Sequence, residues 1–153
     1  VLKYPNLIVL RTFSKWAGLA GLRIGYGIVP GSLWGFLMKI KQPYNVNVAA
    51  QVAAIASLKD IDYLKHLIEL ITSERDHLFR QLSSFNWLKV YPSQANFILC
   101  EVLNGKAKIV HDKLREKGIF IRYFDNSYLS NYIRISVGKP EHTGRIVDAL
   151  SNF

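Results

Sequence analysis

Near the start of this 153-residue chain a lysine, Lys15, stands directly after a hydroxyl, Ser14, with Thr12 just before them and Arg23 shortly after. Gly18 and Gly21 lie between the lysine and the arginine, which marks a turn. An apolar run, Leu7 to Leu10, precedes the group and reads as a short buried strand, and Ile24 to Val29 re-enters an apolar segment. A lysine leaving a buried strand is a candidate amine nucleophile, because apolar neighbours make its charged form costly. Thr12, Ser14 and Arg23 are suited to a phosphate, the arginine through its planar fork and the hydroxyls through short hydrogen bonds. An amine that attacks a carbonyl beside a phosphate cradle is the combination that pyridoxal phosphate requires. The same residue types also fit a plain surface turn with a solvated lysine.

The order of the residues adds a resemblance. Ser-Lys, then Gly-Leu-Ala-Gly-Leu-Arg, then Gly-Tyr resembles the cofactor-lysine motif of fold-type I aminotransferases, and with Thr12 ahead of it the match is to the histidinol-phosphate aminotransferase family. The similarity continues through Lys-Gln-Pro-Tyr-Asn at 41–45, Ala-Asn-Phe-Ile at 95–98 and Arg-Ile-Ser-Val-Gly at 134–138, and it covers essentially the whole chain. It implies that Lys15 is the lysine bonded to pyridoxal phosphate, with Thr12, Ser14 and Arg23 on the cofactor phosphate. It further implies Asn96 and Arg134 at a substrate carboxylate and Arg122 at a substrate phosphate.

Taken alone, Arg134 lies in a strand pattern where an exposed arginine is the default; pointing inward, it needs an anion. Arg122 and its neighbours equally fit a solvated turn. The reaction implied by the resemblance is transamination between histidinol phosphate and 2-oxoglutarate, giving imidazole acetol phosphate and glutamate, in a homodimer. Aromatic-amino-acid aminotransferases and threonine-phosphate decarboxylases are the near relatives of that family.

The family also needs an aspartate on the pyridine nitrogen, an aromatic ring stacked on the cofactor, and an asparagine and a tyrosine at its 3′-oxygen, all ahead of the lysine. Only fourteen residues precede Lys15, and the chain does not begin with methionine. The resemblance therefore makes the chain an α/β fragment of the fold-type I transferase fold, inactive by itself. It holds the end of the large domain (residues 1–58) and the small C-terminal domain (residues 59–153).

The composition bounds the alternatives. Half of the residues are apolar, enough for a real core. The net charge of +9 raises a nucleic-acid-binding module, but the basic residues are scattered and no zinc-finger or ribonucleoprotein motif accompanies them. A catalytically silent interaction domain is the other non-enzymatic reading. No apolar run reaches membrane-spanning length, and no signal pattern opens the chain. One cysteine, Cys100, excludes an internal disulfide, reads as a buried inert thiol and suits the reducing cytoplasm; an organelle follows only if a transit segment preceded this sequence. His66, His77, His111 and His142 lack metal-ligand spacing, and no Gly-x-Ser-x-Gly elbow occurs.

The elements that must position these groups follow from periodicity and punctuation. Val1 to Tyr4 reads as a helix tail or loop, followed by strands at 7–11 and 22–29. Ser32 is expected to cap a helix to about Lys41, with Leu33, Phe36, Leu37 and Ile40 on one face, and Pro43 to stop it. Helices are expected over 48–58 and from Asp60 to about Phe85, the latter with Leu64, Leu67, Ile68, Ile71, Leu78 and Leu82 apolar. Strands at 87–91, 96–102, 119–123 and 132–137 are interleaved with a helix over 106–117, closed by Gly118, and one opened by Pro140. The 106–117 helix turns Ile109, Val110 and Leu114 inward, and the last buries Ile146, Val147 and Leu150. Trp16, Trp34 and Trp87 read as packing residues.

Overall fold

The computed structural model describes residues 3–151 and 153. The expectation for Val1 and Leu2 lies outside the described residues. The chain divides into two compact units, residues 1–66 and 67–153.

In the first unit, β1 (Val9–Thr12) pairs antiparallel with β2 (Gly25–Ile28), with Thr12 opposite Gly25 and Val9 opposite Ile28. A 3-10 turn, Ala20–Leu22, lies in the connection. Helix α1 (Gly31–Ile40) and helix α2 (Val48–Lys59) follow. Helix α2 is capped as its sequence dictates: the Asn47 side chain accepts a hydrogen bond from the Ala50 N–H at 2.8 Å, satisfying a donor that the helix cannot. Helix α1 begins two residues earlier than expected, after Pro30 and not after Ser32, and Ser32 makes no side-chain cap.

Burial departs from the expectation here. Both strands are largely exposed, Leu10 at 76%, and α1 buries no residue; Phe36, Ile40 and Trp34 are all exposed. The physical reason is that β1 and β2 form a two-stranded ribbon, which has no second layer of its own to cover its faces. What is buried centres on Phe13, whose ring lies 5.0 Å from Trp16 and 5.7 Å from Tyr26, and on the small residues Ala50 and Ala54 of α2.

Helix α3 (Ile61–Leu82) runs across the division between the units. It ends three residues before Phe85, and Ile68 and Ile71 on its first half are exposed. The second unit is built on a four-stranded antiparallel sheet in the order β3–β4–β6–β5, formed by β3 (Leu88–Val90), β4 (Phe97–Val102), β5 (Arg122–Tyr123) and β6 (Tyr132–Ser136). Helices α4 (Ala107–Glu116) and α5 (Pro140–Leu150) complete it. Strict alternation on β4 and β6 turns Ile98, Cys100, Val102, Ile133 and Ile135 to one face. There they join Leu78 and Leu82 of α3, Val110 and Leu114 of α4, and Ile146 and Leu150 of α5 in one apolar cluster. Each fully buried leucine or isoleucine stabilises the unit by about 1.5–3 kcal/mol relative to exposure, so this is a true core.

Two details differ from the sequence reading. Ile109 is half exposed, since its neighbours Val110 and Leu114 take the inward positions of α4, and β5 is only two residues long. Gly118 closes α4 in the left-handed region at φ 72°, where a side chain would be strained.

Cys100 lies fully buried in this core, and burial pushes its thiol from 9.0 up to about 12. A pKa raised by folding stabilises the native state below the unfolded value, and that contribution is lost as pH rises from 9.0 towards about 12. We therefore expect a thiol reagent at about pH 8 to label Cys100 only after denaturant has unfolded the second unit. Labelling of the native protein at the rate of a free thiol contradicts this burial.

Candidate functional site

The residues singled out by the sequence fall into two groups, one in each unit. The first sits at the end of the β1–β2 ribbon. Thr12 is the last residue of β1, and its hydroxyl donates to the Ser14 hydroxyl at 2.8 Å while accepting the Ser14 N–H at 3.0 Å. The pairing continues one step past the strands, the Phe13 N–H donating to the Ile24 carbonyl at 3.2 Å. That register brings Ser14 and Arg23 to the same end of the ribbon.

The chain can turn there because the ribbon closes tightly. A Cβ at Gly25 would lie 2.6 Å from the Arg11 carbonyl oxygen, so only glycine fits opposite Thr12. Arg23 itself adopts the left-handed conformation, at φ 56° and ψ 42°, with its guanidinium donating to the Ala20 carbonyl at 3.1 Å. A non-glycine residue held in that region marks local strain of the kind found at ligand-binding turns.

Lys15 follows Ser14 in a turn closed by the Gly18 N–H on the Lys15 carbonyl, at 3.2 Å. Its side chain is exposed and has no hydrogen-bond or ion-pair partner among the described residues. The apolar shielding anticipated for it is therefore not supplied by this turn. The donor set is two hydroxyls, a guanidinium and an uncommitted primary amine within one short loop. That chemistry fits pyridoxal phosphate, which needs anion donors for its phosphate and an amine for its aldehyde. Behind the loop, the Asn47 side chain that caps α2 also reaches the Leu22 carbonyl at 3.5 Å, tying helix and turn together.

The second group lies on the sheet face opposite the core of the second unit. Arg134 on β6 is directly across from Arg122 on β5 and from Leu99 on β4. Like charges placed directly opposite each other repel, so this pairing costs stability unless something anionic is shared. No carboxylate answers them among the described residues: Glu101, on the same face, is engaged by the Tyr91 hydroxyl at 2.8 Å and by Lys89 at 3.8 Å. The Arg134 Nε atom is buried and has no hydrogen-bond partner. The hydroxyl of Tyr132, next on that face, is held above its ordinary pKa, first by its hydrogen bond with Tyr91 and then by burial and Glu101.

Asn96 is exposed at the entry to β4, where its carbonyl accepts the Val137 N–H at 2.9 Å; it stands on the strand beside Arg134, with no recorded side-chain contact to it. Sequence reasoning missed two aromatic partners of the arginines. The Arg134 guanidinium lies 5.0 Å from the Phe97 ring centroid, and that of Arg122 lies 5.6 Å from the Phe124 ring. Tyr44, in the 41–45 stretch of the resemblance, is fully exposed and in the left-handed region at φ 58°. Three of the four histidines are spent locally: His77 on Glu74, His111 on Asp112, and His142 in the capping box of α5.

The lysine turn of the first unit has the donor chemistry that pyridoxal phosphate needs, and the second unit carries an arginine face with no carboxylate partner among the described residues. Comparison with known proteins makes the assignment specific. The model of the aminotransferase class I and II family matches residues 1–150, and the chain belongs to that family. It is 52% identical over 151 residues to a histidinol-phosphate aminotransferase of Dehalococcoides mccartyi, covering 99% of this chain and 42% of that protein.

Among solved structures, histidinol-phosphate aminotransferase from Clostridium acetobutylicum superposes with a TM-score of 0.88 at 26% identity, over 99% of this chain and 46% of that one. The enzyme of Sinorhizobium meliloti, solved in complex with pyridoxal-5′-phosphate, gives 0.82 at 34% identity, over 97% of this chain and 41% of that one. The chain thus has the aminotransferase fold and spans less than half the length of these relatives. Among the described residues no helix is long and apolar enough to cross a membrane.

The tight approach of Gly25 is the most local of these requirements. We expect Gly25→Ala to force the ribbon apart and to destabilise the protein by about 1–3 kcal/mol, read as a lower melting midpoint. An unchanged midpoint contradicts the close approach described above.

Proposed function

We propose that the protein to which this sequence belongs is a pyridoxal-phosphate-dependent aminotransferase that exchanges an amino group between histidinol phosphate and 2-oxoglutarate. The single observation that carries the substrate half of this reading is the register that sets Arg122 opposite Arg134 with no carboxylate to neutralise them among the described residues. Two arginines at directly opposite positions bring the charge and the fork-shaped donors that a phosphate or a carboxylate matches.

The cofactor half rests on the first unit. Thr12, Ser14 and Arg23 hold the cofactor phosphate through two hydroxyls and a guanidinium. Pyridoxal phosphate, when bound, supplies an aldehyde that accepts the amino group and a ring that withdraws electrons from the substrate carbon. The Lys15 amine would take the proton from the α-carbon of the amino donor and, in the second half-reaction, deliver a proton to the α-carbon of the acceptor, a role for which an amine free of other partners is suited. Arg134, with Asn96 beside it, orients the anionic end common to the glutamate and 2-oxoglutarate pair, and Arg122 reads the phosphate of histidinol phosphate.

In this reading the protein acts as a homodimer, in the cytoplasm or in an organelle, as part of histidine biosynthesis. Residues 1–58 belong to its large cofactor-binding domain and 59–153 to its small domain.

The test is a substrate comparison on the full-length protein. Arg122→Ala is expected to lower kcat/KM for histidinol phosphate by roughly ten- to hundredfold, the loss of one charged hydrogen-bonding partner. The half-reaction with glutamate should suffer less. Equal losses on both substrates, or turnover of unphosphorylated aromatic amino acids in preference, would overturn the assignment of this substrate.

A further inference from the structure

We propose that Phe97 is a positioning residue for the arginine pair, its ring setting the plane of the Arg134 guanidinium so that the fork faces the anion. This rests on the anion-binding role given to Arg122 and Arg134 above.

An arginine on a strand has four flexible torsions, and placing it beside a second arginine would normally drive the two heads apart. Two rings receive the separated heads, one for each arginine. Phe97 enters from β4, the strand that pairs β6 on the side away from β5, and its ring centroid lies 5.0 Å from the Arg134 guanidinium carbon. Phe124, just past β5, does the same for Arg122 at 5.6 Å. The negative face of each ring stabilises the cation over it, and a contact with a ring face spends none of the guanidinium N–H groups. The buried, unpartnered Nε of Arg134 is one such donor. Phe97 contributes nothing to the apolar cluster on the other face of the sheet, where its strand neighbour Ile98 is fully buried. Its aromatic ring is therefore explained by the arginine and not by the core.

The experiment uses the full-length holoprotein, whose cofactor cradle is filled, and reads two quantities. The first is the Kd of succinate, an unreactive dicarboxylate, by calorimetry; the second is KM and kcat with glutamate, the substrate whose carboxylate Arg134 orients. Phe97→Leu is expected to weaken succinate binding and raise KM roughly three- to tenfold, with the effect on KM and not on kcat. Phe97→Tyr, which keeps the ring, should restore both. An unchanged Kd in Phe97→Leu, or a loss that the tyrosine does not rescue, overturns the proposal. A parent protein that binds succinate but does not transaminate refutes the proposed reaction while the succinate titration still decides the role of Phe97. A parent that binds no succinate overturns the role of Phe97 together with the anion site.

Discussion

The closure of a two-stranded ribbon at one point governs the first half of this molecule. Thr12 and Gly25 face each other so closely that no side chain fits at position 25. From that contact the backbone runs on for one more paired step, then turns, and the turn holds two hydroxyls, a lysine and an arginine. The geometry is local: the Thr12–Ser14 hydroxyl pair, the Gly18–Lys15 turn bond and the left-handed Arg23 all arise within a dozen residues. A site built this way needs little else from its own unit to present an amine beside phosphate donors.

The second half works through non-local pairing. Strand order β3–β4–β6–β5 places side by side residues far apart in sequence, and it does so on both faces. One face makes the core, where Cys100 is buried deeply enough to keep its proton. The other sets two arginines in direct opposition, an arrangement that is unfavourable in itself and that the proposed function explains as a receptor for negative charge.

How far the sequence foretold this differs by level. The turn that carries Lys15 was legible because residue identity and order encode it: Gly18 and Gly21 punctuate the chain between the lysine and Arg23, and the Gly18 N–H closes on the Lys15 carbonyl. Helix limits were legible where capping is encoded, as at Asn47 and Gly118. The exposure of Leu10, Trp34 and Ile40 was not, because apolar periodicity reports a surface suited to burial, while burial depends on what is laid against it. The opposition of Arg122 and Arg134, and the ring of Phe97 against the second of them, were also beyond reach. Each depends on which strands become neighbours, which a single sequence does not state.

The central claim is that Lys15 is the residue joined to pyridoxal phosphate in the complete protein. Reduction of the full-length holoprotein with borohydride, followed by digestion and peptide mapping, tests it most directly. The account predicts a pyridoxyl group on the peptide that contains Lys15. A label on any other lysine, or no label at all, would contradict it.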